Sequence, residues 1–112
     1  MNIKISELDG KTLVLEVEEG DTGPIVEMLN TQENGYAIMG PKVEVPMAVV
    51  DTRILKEDWV SSDHLLAIEA HELGHIRMNS PEEPIAETEG IRLLKASGYL
   101  RASQLLEDRG IV

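Results

Sequence analysis

The feature that most constrains the fold is a change of hydrophobic period near residue 60. Before it, short stretches alternate apolar and polar residues. After it, apolar residues recur at helical spacing to the end of the chain. Strands followed by helices in 112 residues predict one small α+β domain, its first part (1–58) mainly strands and its second (59–112) helical. Within the first part, "TLVLEVE" (12–18) reads as a half-buried strand. "GPIVEMLNTQ" reads as a short helix opened by Pro24, with Ile25, Met28 and Leu29 on one face. "YAIMG" and "KVEVPMAVVD" read as two further strands. Proline cannot donate to a strand ladder, so Pro46 places the last of these at a sheet edge or a bulge. A mostly antiparallel sheet of three or four strands is expected.

The helical part carries its own punctuation. Ser61, Ser62 and Asp63 are good N-cap types for a helix running to about Asn79. "NSPEEP" breaks it, and a second helix is expected from about Glu83 to Ser97, stopped by Gly98. A short last helix, "RASQLLEDR", is expected to stop at Gly110.

The first long helix contains His71-Glu72-Leu73-Gly74-His75, an H-E-x-x-H pattern. At about 100° per residue, histidines four apart lie one turn apart and about 40° around the axis, so both rings can reach one ion. Glu72 stands about 100° from His71. It is too far round to be a natural ligand, yet it flanks the ion where a base could take a proton from an attacking water. Gly74 costs a helix interior roughly 1 kcal/mol relative to alanine; close backbone packing beside a metal site would account for it. The competing reading is an ordinary helix that happens to carry the pattern.

The chain has no cysteine, so any metal must be held by histidine and carboxylate. His64 shares the face of His71 but lies about 10 Å along the axis, which assigns it to the helix start rather than to the same ion. The third ligand must then be a carboxylate among Glu82, Glu83, Glu87 and Glu89. Folding the two helices as an antiparallel hairpin about residues 80 to 82 brings the height of His75 to residues 86 and 87. Glu87 is the first choice and Glu89 the alternative, each at a margin of the second helix's apolar face. Zinc suits such a set of imidazole nitrogen and carboxylate oxygen.

Charge narrows the partners. A net charge of −11 with scattered Lys and Arg speaks against direct nucleic-acid binding. No apolar segment approaches a membrane span, and the first twenty residues lack the basic start and apolar run of a signal peptide. The default expectation is a soluble protein of the cytoplasm, or of a host's cytoplasm if the source were viral. Its aliphatic core would be built without phenylalanine.

With these residues in place, the chain resembles the small gluzincin-type zinc metallopeptidases, in particular the ImmA/IrrE-like group with a zincin-like fold. "MAVVDTRILKEDWVSSDHLLAIEAHELGHIRMN" is similar to that group's strand-to-helix unit, and "PIAETEGIRLLKASGY" resembles its following helix. The similarity covers roughly residues 43 to 99. It implies one zinc held by His71, His75 and Glu87, with Glu72 as general base in peptide-bond hydrolysis of a protein or peptide substrate. Gly90 and Ile91 stand where the group's glutamate-helix pattern has an alanine and an asparagine or aspartate. A substrate peptide is expected to add to the sheet edge around Lys42 to Val50, with Tyr36, Arg77 or Tyr99 as oxyanion candidates. The alternatives are a non-catalytic regulatory or interaction protein on the same scaffold, with metal structural or lost, and a helical structural protein without metal.

Overall fold

A computed structural model describes residues 1–32 and 34–108. Among them, four strands and four α-helices follow the order β1 (Asn2–Ile5), β2 (Leu13–Val17), α1 (Pro24–Gln32), β3 (Gly35–Ile38), β4 (Met47–Asp51), α2 (Ser62–Met78), α3 (Glu83–Ala96) and α4 (Leu100–Glu107), with a short 3-10 helix at Thr52–Lys56. The strands form one mixed sheet in the order β1-β2-β4-β3. β1 pairs antiparallel with β2 and β3 antiparallel with β4, whereas the central β2–β4 pair is parallel, Leu15 opposite Val49.

Two apolar clusters sandwich this sheet. On one face Val14, Ala48 and Val50 pack with Ala67, Ile68, Ala70 and Leu73 of α2, Leu93 and Leu94 of α3, and Leu106 of α4. On the other, Leu15, Val17 and Val49 pack with Val26 and Leu29 of α1. β2 is therefore buried on both faces rather than half-buried: α1 covers Leu15 and Val17, and the helical layer of α2, α3 and α4 covers Val14 on the side that alternation assigns to solvent.

The expected edge or bulge position of the 42–51 segment is corrected by the sheet order. β4 is interior, and its ladder starts at Met47, one residue after Pro46. The proline thus precedes the strand and breaks no bond in it. The open edge on this side belongs to β3.

The helix limits agree closely with the sequence punctuation. At the start of α2, the Ser61 backbone N–H donates to His64 Nδ1 at 3.0 Å, and the His64 ring meets Trp59 edge-on. At its end Asn79 takes the left-handed conformation, φ 46°, which turns the chain back so that the Ser80 N–H donates to the His75 carbonyl at 3.1 Å. Gly98 follows α3 at φ 81°. Gly110, the expected stop of the last helix, lies outside the described residues. No helix of the described chain is long and apolar enough to cross a membrane.

Candidate metal centre

Two glycines set the distance between the helices that carry the site. A Cβ on Gly74 would lie 2.0 Å from the Ala86 carbonyl oxygen, and one on Gly90 would lie 2.8 Å from that of Ala70. Real Cβ atoms do not approach so closely, so α2 and α3 touch backbone to backbone at this crossing. The close packing expected of Gly74 is present, one residue before His75. A third glycine, Gly35, sets β3 against α2: its Cβ would meet Ile68 Cγ2 at 2.7 Å and the Val49 carbonyl at 2.9 Å, with Glu72 Cγ next at 3.5 Å.

The crossing brings His71, His75 and Glu83 together. Glu83 Oε2 lies 2.9 Å from His71 Nε2, and Oε1 lies 2.9 Å from His75 Nε2. One ligand atom from each of the three falls within 4.8 Å of the others, and this group could hold a metal ion. A tetrahedral ion with bonds of about 2.05 Å needs donors roughly 3.3 Å apart, so opening the carboxylate by a few tenths of an ångström makes the room.

Hydrogen bonding adds a stronger indication. A carbonyl oxygen only accepts, so the 2.8 Å contact between His75 Nδ1 and the Ser80 carbonyl requires the proton on Nδ1. For a neutral ring, Nε2 then presents a lone pair, and the atom it faces is a carboxylate oxygen. Two acceptors at 2.9 Å need a cation between them, a proton or a metal ion. Burial lowers the proton affinity of His71 despite the opposing charge of Glu83, which favours the neutral ring that a metal ligand requires. His71 Nδ1, on the far side of its ring, is buried without a hydrogen-bond partner among the described residues.

Glu72 borders the same space. It is 8% exposed, and burial, reinforced by the charge of Glu83, raises its pKa to about 8. The space is a cleft of about 710 Å³ between β3 and the first turn of α3, with α1 on its flank.

The remaining expected residues fall in different places. Glu87 lies one turn beyond Glu83 on the same face of α3, half-buried, and its charge acts on His71, but it is outside the three-residue group. Glu89, the alternative ligand, is held by Arg77 Nε and by Arg92 Nη2 and Nε at 2.6 to 2.8 Å, on the flank of the helix pair. Arg92, then the opposing effect of burial, then Arg77 bring the Glu89 pKa down to about 2. Arg77 is likewise committed, reaching Asp9 as well as Glu89. Tyr99 donates to Glu7 at 3.1 Å, well away from the site residues. Of the three oxyanion candidates Tyr36 alone borders the cleft, with its hydroxyl turned to the Ile25 carbonyl at 3.4 Å.

Glu83 is among the four candidate carboxylates, but the hairpin reflection favours Glu87 over it. A reflection through the turn matches backbone heights and ignores reach: Glu83 opens α3, its side chain 61% exposed and free to swing back over both histidines. The signal for it in the sequence is its i, i+4 relation to Glu87, which puts both carboxylates on one face.

No family model matches the chain, and no curated protein or solved structure gives a significant match to it.

Proposed function

We infer that this domain is a zinc-dependent peptide hydrolase. The observation that carries the reading is the His75 Nε2 lone pair facing a Glu83 carboxylate, a gap shaped for a cation, beside a buried glutamate on the wall of an open cleft. His71, His75 and Glu83 would hold the ion, and a set of two imidazoles and one carboxylate suits zinc. When bound, zinc supplies a Lewis acid for the scissile carbonyl and the attacking water.

The chain's own groups supply the rest. Glu72 receives the proton of the attacking water at its carboxylate and delivers it to the leaving amine nitrogen. Its raised proton affinity in the metal-free protein falls when a divalent charge arrives alongside, which brings a base towards neutral pH. β3 is the open edge strand. Asn34 accepts from the Asp51 N–H, so in the alternating antiparallel pattern Gly35 and Ala37 turn their N–H and C=O groups away from β4. A substrate strand can add there, rather than at Lys42 to Val50. The resemblance to gluzincin-type peptidases implies the same reaction.

A second reading has one observation in its favour. Glu83 and Glu87 share the histidine-facing side of α3, and two histidines with two carboxylates would close a tetrahedral site to water. Such a domain would bind zinc structurally and act as a binding module. Digestion of a peptide library by wild type and by Glu72→Gln, each carrying one zinc per chain, separates the two. Cleavage by wild type alone supports the hydrolase; cleavage by neither, or equally by both, removes it.

A further inference from the structure

The walls of the cleft differ from the rest of the molecule in charge. Asp, Glu, Lys and Arg make up 28% of the chain. Yet apart from Glu72, Glu83 and the two histidines at the centre, the cleft is lined only by uncharged residues, among them Met28, Tyr36, Ile38 and Met39. No Lys or Arg borders it among the described residues.

Two consequences follow. Away from the ion site no cationic side chain lines the cleft to receive a free C-terminal carboxylate, and Glu72 would repel one, so the ligand is the interior of a chain rather than its end. And a peptide lying along β3 sends alternate side chains to opposite sides. Gly35 rests on Ile68 and Glu72, which puts α2 on one side. Tyr36 and Ile38 pack with the α1 cluster, which puts Met28 on the other. Met28 is 48% exposed, and thioether side chains adapt to apolar groups of varied shape.

We propose that the cleft is selective for an internal, extended peptide segment carrying an apolar side chain seated between Met28 on α1 and Tyr36 and Ile38 on β3. The selectivity rests on the cleft assigned above to substrate. It concerns binding, so it stands or falls separately from hydrolysis.

The test uses zinc-loaded Glu72→Gln protein and dye-labelled decapeptides, acetylated and amidated at their ends, that differ only in a central Leu, Asp or Lys. Fluorescence anisotropy reads the affinities. Burying a leucine-sized group predicts binding at least about tenfold tighter for the Leu peptide than for either charged one. Adding Met28→Lys should erase most of that difference while leaving zinc content and thermal stability unchanged, because Met28 is half outside the core. Equal affinity for the three peptides, no measurable binding of the Leu peptide, or tighter binding of a version with a free C-terminus overturns the proposal. Selective binding of the Leu peptide by a protein whose wild type cleaves nothing upholds it and removes the hydrolase reading instead.

Discussion

Replacing Gly74 by alanine should destabilise the domain, against the ordinary effect of that change in a helix. At an unobstructed interior position alanine is favoured over glycine by about 0.8–1 kcal/mol. Here the added methyl would sit 2.0 Å from the Ala86 carbonyl oxygen, 2.7 Å from its carbon and 2.9 Å from Ala86 Cα. All three atoms are backbone, so no rotamer change relieves the overlap, and α3 must move off α2 by about an ångström. That separation loosens Ala70, Leu73, Ala86 and Leu94, all fully buried along the same contact. Overpacking of this kind costs about 1–3 kcal/mol and occasionally more. With rigid backbone on one side the upper end applies, so the net loss after the propensity gain is about 2 kcal/mol. For a domain of this size that lowers Tm by roughly 8–16 °C. Thermal unfolding followed by circular dichroism, in chelator so that metal does not contribute, is the assay. Gly90→Ala, whose Cβ would meet Ala70 at 2.8 Å, should lose less. The same displacement carries Glu83 away from the histidines, so zinc affinity should fall at least tenfold in Gly74→Ala. An unchanged or raised Tm with full zinc affinity would refute the claim that this glycine sets the helix spacing and the site.

Three further outcomes follow from the charges and the ligand set. In the metal-free protein Glu72 has its pKa raised to about 8 from an ordinary 4.5, so its contribution to stability is full below pH 4.5 and is lost as pH rises to about 8. At about 1.4 kcal/mol per pH unit the change approaches roughly 4 kcal/mol as an upper bound. Urea unfolding in chelator at pH 5 and pH 8 should show Glu72→Gln free of this slope and the more stable protein at pH 8; an identical slope in both contradicts the burial argument. Glu89 has the opposite sign. Its pKa is lowered to about 2, so its contribution is present above pH 4.5 and is lost as pH falls towards 2. Because Arg92 is 57% exposed, solvent screening leaves about 1–2 kcal/mol at pH 7. Glu89→Gln should lose that amount at pH 7 and nothing at pH 2 by urea unfolding, with zinc affinity little changed. Finally, isothermal titration with zinc should find Glu83→Ala weakened at least tenfold. A larger loss in Glu87→Ala than in Glu83→Ala would transfer the ligand role to Glu87.

Much of this architecture is legible in the residues because it is set locally. Caps and glycines mark the limits of α2 and α3, helical period puts His71 and His75 on one face, and a lone glycine at position 74 marks a close contact before its partner is known. What is not legible depends on contacts distant in sequence. Nothing in "TLVLEVE" tells that the layer of α2, α3 and α4 will cover Val14 on its second face, or that its neighbour will be the parallel β4. β1, only four residues long, gains its order by pairing with β2. Pro46 misled because one residue separates a proline inside a strand from one just before it. Arg77 and Glu89 read separately as an oxyanion donor and a ligand. They prove to be partners, because two residues twelve apart meet only after the helices have folded together.

The central claim is that His71, His75 and an α3 carboxylate form a metal site. Chelator-treated protein titrated with zinc against a chromogenic competitor tests it most directly. The predicted result is saturation at one ion per chain, with affinity reduced roughly a hundredfold or more in His71→Ala and in His75→Ala. Failure to take up one equivalent, or equal affinity in wild type and both histidine variants, would contradict it.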